Sequence, residues 1–173
     1  FRLRAPNRLG WRGGIGGKQI EENFFPALGY VNRSGIRDQT LEAGYALRVS
    51  DPLFRTLSFG VDAERIDLIT GGLQTQVVTL RAMEFDSHAR DRWHIRIHET
   101  KETLTEPYEI WEQGADKVTI PVGDYSFSEA EIYFRSGPSR IFWGTIGYRS
   151  GEFYDGHRQR KTAGIGWRPS IHY

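Results

Sequence analysis

Three consecutive segments between Tyr125 and Arg168 repeat one pattern, and that pattern restricts the chain to strands with two unlike faces. Ala130, Ile132 and Phe134 alternate with Glu129, Glu131, Tyr133 and Arg135, and Phe142, Gly144, Ile146 and Tyr148 alternate with Trp143, Thr145, Gly147 and Arg149. Ala163, Ile165 and Trp167 then alternate with Thr162, Gly164, Gly166 and Arg168. Side chains along a strand point to opposite faces in turn, so each segment sets an apolar face against one of charge, hydroxyl and glycine. Such strands separate two different surroundings. Residues 136–139 supply a tight reversal and residues 151–160 a longer polar one. Amphipathic strands joined by short and long turns, with aromatics near their ends, describe the wall of a membrane-spanning β-barrel.

The same alternation recurs upstream. Leu9, Trp11, Gly13, Ile15 and Gly17 share one face of a glycine-rich strand. The run from Gly13 to Gln19 departs from a phosphate-binding loop, because Arg12 stands at the first glycine and Gln19 at the magnesium-binding hydroxyl. Leu41, Ala43, Tyr45, Leu47 and Val49 form the cleanest strand, Asp51 and Pro52 turn the chain, and Leu57, Phe59, Val61 and Ala63 return as its hairpin partner. Gly71 and Gly72 mark a turn, and residues 74–85 form a strand whose faces blur because Val77 and Val78 fall on opposite sides. Trp93, Ile95 and Ile97 restore the alternation, whereas residues 101–124 read as a loop with a short extended piece. The total is about eight strands and no helix.

Composition narrows function mainly by exclusion. Net charge is +1 from 23 basic and 22 acidic residues, so no overall field attracts nucleic acid or anionic lipid, and only local basic patches remain. Cysteine is absent, which removes disulfides, thiolate metal sites and cysteine nucleophiles. No apolar run approaches the length of a membrane helix, a test that β-barrels escape because only alternate residues need be apolar. The chain begins at Phe1 without an initiator methionine or leader, which reads as a mature or truncated fragment.

Several groups could carry chemistry. Glu129 and Glu131 share a strand face about 7 Å apart, a spacing at which two carboxylates can act as acid and base on a glycosidic bond; paired with arginines they are instead a structural ladder. His94 and His98 share a face about 13 Å apart, too far to chelate one metal. Phe153, Tyr154, Asp155, His157 and Arg158 have the make-up of a sugar-binding edge, and equally of an aromatic anchor at a membrane interface, which is the favoured reading. Arg33, Arg37, Arg48, Arg96, Arg135 and Arg149 fall on or beside polar faces, where they would meet Glu42, Asp62, Glu129 and Glu131 in a barrel interior. The candidate lumen or ligand contacts are thus Glu22, Asn23, Arg33, Arg37, Glu129, Glu131, Tyr154, Asp155 and Arg158, with no catalytic residue, metal ligand or cofactor assigned.

ENFFPALGYVNRSGIR at Glu22–Arg37, IPVGDYSF at Ile120–Phe127, GEFYDG at Gly151–Gly156 and WRPS at Trp167–Ser170 resemble the carboxy-terminal β-barrel domain of the family called domain of unknown function 5916. The resemblance covers the chain from about Gly10 onward. It implies an outer-membrane location in a Gram-negative bacterium, a barrel larger than this chain, and carbohydrate as a ligand class through the family's usual carbohydrate-binding family 9-like partner domain. It carries over no catalytic residue.

The expectation is one all-β domain over residues 1–173, an antiparallel meander forming a transmembrane outer-membrane β-barrel or a segment of one. It would act as a pore, receptor or membrane anchor, with membrane lipid, carbohydrate, other subunits or missing strands as partners and no nucleic acid. The rivals are a soluble β-barrel or β-sandwich that binds a ligand, with the two faces exchanged, and a glycoside hydrolase using Glu129 and Glu131.

Overall fold

The computed structural model describes residues 1–5, 7–24, 34–113 and 116–168, with backbone alone at residues 112, 113 and 116. These residues form eleven strands: β1 (Arg2–Ala5), β2 (Gly10–Ile20), β3 (Ile36–Arg48), β4 (Phe54–Leu68), β5 (Leu73–Ser87), β6 (Arg92–Leu104), β7 (Tyr108–Gln113), β8 (Asp116–Ile120), β9 (Gly123–Arg135), β10 (Phe142–Phe153) and β11 (Gly156–Trp167). Nine of them form one sheet in the order β1-β2-β3-β4-β5-β6-β9-β10-β11, with every neighbouring pair antiparallel. Strands β7 and β8 make a separate hairpin between β6 and β9. The fold is an all-β meander. The sheet is open, with β1 and β11 as its edges.

Local chemistry explains the connections. Asp51 Oδ1 accepts the N–H groups of Leu53 at 2.8 Å and Phe54 at 2.9 Å, which closes the β3–β4 turn. Gly71 and Gly72 have φ of 102° and 99°, the left-handed region that a glycine pair enters without steric penalty. Residues 101–124 differ from the loop expected of them: β6 runs on to Leu104 and the hairpin of β7 and β8 follows. Its short strands carry exposed Tyr108, Ile110, Trp111 and Val118 and bury only Ile120 at their end, so no sustained inward face imposes a period on the sequence.

Register assigns the two faces. Ile15, Leu41, Ala63 and Val78 lie in one row, and Ile95, Ile132 and Tyr148 in another, all on the apolar side. A register shift between Arg81 and Met83 in β5 explains the blurred alternation there. Ala82 is the extra residue, and it moves the apolar positions from Val78 and Leu80 to Met83 and Phe85.

Burial is inverted relative to a water-soluble sheet. On the apolar face Ile146 is 63% and Ile165 is 84% exposed, whereas on the polar face Glu129 is 3% and Arg81 is 6% exposed. Side-chain length accounts for the buried charges. Arg12 on β2 and Glu84 on β5 approach to 3.8 Å across the two strands between them, passing over the glycine floor of Gly44 and Gly60. Long side chains from separated strands lie along the polar face and cover one another.

Candidate functional site

Two ion-pair clusters occupy the polar face. The first surrounds Arg81, whose Nε lies 3.0 Å from Asp62 Oδ2 and whose Nη2 donates to the Ala43 carbonyl at 3.3 Å. Glu42 and Glu84 complete the set at 3.9 and 4.0 Å, and Glu84 also accepts from Arg96. Gly44 and Gly60 face each other across β3 and β4 and make the floor on which this guanidinium rests. A Cβ at Gly60 would stand 2.6 Å from Arg81 Nη2 and would strike the Ala43 carbonyl.

The second cluster is centred on Glu129 and Glu131. Glu129 Oε2 accepts from Arg149 Nη2 and Arg158 Nη2, each at 2.6 Å, and Oε1 accepts from Arg158 Nε at 3.0 Å. His94 Nε2 lies 2.6 Å from Glu131 Oε1, and His98 Nε2 lies 3.8 Å from its Oε2. The His94 ring stacks on Tyr133 at 4.9 Å. The two histidines thus share one carboxylate. Among the described residues no group of three or more His, Asp or Glu is placed to hold a metal ion.

Beside these charges, toward the β10–β11 turn, the polar face changes character. Tyr125, Phe127, Phe153 and Tyr154 pack ring against ring at 4.8 to 5.5 Å. The Arg158 guanidinium lies 3.9 Å over the Phe153 ring while it also grips Glu129. Tyr154 Oη donates to Glu102 at 2.7 Å. Burial and this bond to a carboxylate both hold the Tyr154 phenol well above its ordinary range. Tyr154 takes a φ of 54° in the turn, a left-handed conformation held by the packing of its ring.

Glu129, Glu131, Tyr154 and Arg158 therefore meet in one continuous region. The others do not join it. Arg37 is on the opposite side of the sheet, donating to Gln19 Oε1, so the interior position expected for it is corrected: at odd positions β3 presents its apolar face. Glu22 and Asn23 lie in the exposed turn after β2, Asp155 is exposed in the β10–β11 turn, and Arg33 falls outside the described residues. The interfacial-anchor reading of Phe153 and Tyr154 is also corrected, because their rings turn to the polar face and pack on Phe127 and Tyr125. Sequence reasoning missed Arg81 and Glu84, which flank the bulge that scrambles their period, and Glu102, which follows the last clear alternation of β6.

Chemically, the arrangement ties β9, β10 and β11 together through Glu129. Both Glu129 oxygens are occupied by guanidinium donors, so that carboxylate is committed to structure. No family model, curated protein or solved structure matches this chain.

Proposed function

We propose that the chain is a wall segment of an outer-membrane β-barrel in a Gram-negative bacterium, with its apolar face against lipid and its polar face lining the interior. It serves as a pore or anchoring barrel, without chemistry of its own. The inverted burial carries this reading. Buried charge beside exposed isoleucine is costly in water and favourable in a bilayer, where the apolar side needs no protein cover.

Three further features support it. Trp11, Tyr45, Phe59, Phe85, Trp93, Phe134, Phe142 and Trp167 share the apolar face near one end of the strands, as an interfacial aromatic girdle does. At that end the connections are short, spanning 6–9, 49–53, 88–91 and 136–141. At the other end the turns at 69–72 and 154–155 are short, but residues 21–35 and 105–122 make the two longest connections of the sheet, as the loops outside the cell do in such barrels.

Strand number bears on closure. In a nine-strand meander β1 and β11 run in the same direction, so joining them directly would require a parallel pair. A second copy in the same membrane orientation meets the same obstacle. Closure by antiparallel pairing throughout calls for an odd number of additional strands between β11 and β1, which fits a segment of a larger barrel.

The test is partitioning of the expressed chain between aqueous and detergent phases, with gel mobility compared before and after boiling. Detergent-bound protein that migrates faster unboiled agrees with the proposal. A monodisperse monomer free of detergent would sink it and exchange the roles of the two faces.

A further inference from the structure

On the apolar face of β2 to β5, toward the end with the long connections, the belt gives way to polar residues row by row. Ile15, Leu41, Ala63 and Val78 are aligned by register, and the next row contains Gln39, Arg65 and Gln76. Gln19 and Arg37 pair in the row beyond. A groove of about 730 Å³ runs across this boundary, lined by all of these residues.

The charges at its polar end are unequal. Arg65 is held by Asp67, its Nε donating to Oδ2 at 2.9 Å and its Nη2 to Oδ1 at 3.0 Å. Arg37 donates from Nε and Nη2 to the neutral carboxamide of Gln19, each at 3.3 Å, and has no carboxylate partner among the described residues. Asp67, opposite Arg37 in register, is already engaged by Arg65. Gln19 in turn donates from Nε2 to Glu21 Oε1 at 2.7 Å, and Asp38 in the same groove is taken by Lys18, so among the described residues Arg37 meets a carboxylate only through the Gln19 carboxamide, at the line where the apolar face ends.

We propose that this groove seats an anionic membrane lipid, with an acyl chain along Ile15, Leu41, Ala63 and Val78 and its phosphate at Arg37. The proposal rests on the membrane-wall reading above. A guanidinium offers forked donors that match phosphate oxygens, and the Gln39 and Gln76 carboxamides add neutral donors beside it. The apolar row selects a lipid over a free anion, since a free anion gains nothing from isoleucine and leucine.

The test uses the chain refolded in a non-ionic detergent, with retained lipid read by native mass spectrometry. The probes are dioleoyl phosphatidylglycerol and dioleoyl phosphatidylcholine, which share acyl chains and differ in net charge. Wild type should retain the phosphatidylglycerol about fivefold more. Arg37→Gln should erase the difference, Arg37→Lys should keep most of it, and Arg48→Gln at the opposite end of β3 should leave it unchanged. Millimolar inorganic phosphate should not displace the lipid. Equal retention of the two lipids by wild type, an undiminished preference in Arg37→Gln, or displacement by phosphate would overturn the lipid site while leaving the wall intact. A chain that takes up no detergent would overturn the wall and the site together.

Discussion

Arg12 and Glu84, on strands that are not neighbours, come within 3.8 Å of each other on the polar face of the sheet. Both side chains lie along the sheet, over the glycine floor that β3 and β4 supply. Arg158 on β11 and Glu129 on β9 repeat this reach at the other side, spanning the intervening β10 at 2.6 Å.

Replacing Ile146 by arginine places a charge on the exposed apolar face. In a bilayer the cost should be about 2 to 4 kcal/mol if the residue lies near the midplane. Unfolding midpoints in lipid vesicles measure it, and a variant as stable as wild type would contradict the lipid-facing assignment.

Glu129→Gln removes the acceptor charge from between two guanidinium groups and leaves them facing each other. Breaking a buried ion pair from one side costs about 3 to 5 kcal/mol. Denaturant titration of the refolded protein should show a loss of this order. If Glu129 were instead a catalytic acid, the substitution would abolish a glycan-hydrolysing activity and leave stability nearly untouched.

Gly60→Ala tests the floor beneath Arg81. The added Cβ would push against Arg81 Nη2 and the Ala43 carbonyl, in a strand whose neighbours leave no room to shift. Overpacking of this kind costs about 1 to 3 kcal/mol. Gly71→Ala is the contrast: nothing stands within 4 Å of its Cβ, and any loss there comes from the positive φ alone. Comparable thermal shifts in Gly60→Ala and wild type would mean that the guanidinium does not lie where it is described.

The Tyr154 phenol should ionise late, above its ordinary range. It is held above the ordinary value of 10.0 by burial and by the bond to Glu102. A raised folded value stabilises the native state fully below pH 10 and loses that contribution as pH climbs through the folded value. Ultraviolet titration should show a late phase that Tyr154→Phe removes. The same variant should narrow the stability difference from wild type as the solution becomes strongly alkaline. A titration curve that Tyr154→Phe leaves unchanged in its late part would refute the packed, bonded phenol.

Ile132, Ile146 and Ile165 with their charged, hydroxyl or glycine neighbours already state that the chain is a set of amphipathic strands, because strand periodicity is a local property. The same holds for the turns at Asp51 and at Gly71 and Gly72, where the residue types themselves favour the reversal. The short β1 strand and the hairpin of β7 and β8 were not legible, since neither has a run of alternation long enough to stand out. Only the tertiary structure decided that Arg37 faces away from Glu129 and that Phe153 and Tyr154 face toward it. It also decided that Arg81 lies on two glycines contributed by other strands. Those facts depend on register across several strands and on the extra residue at Ala82, and both are set by pairings between residues distant in the chain.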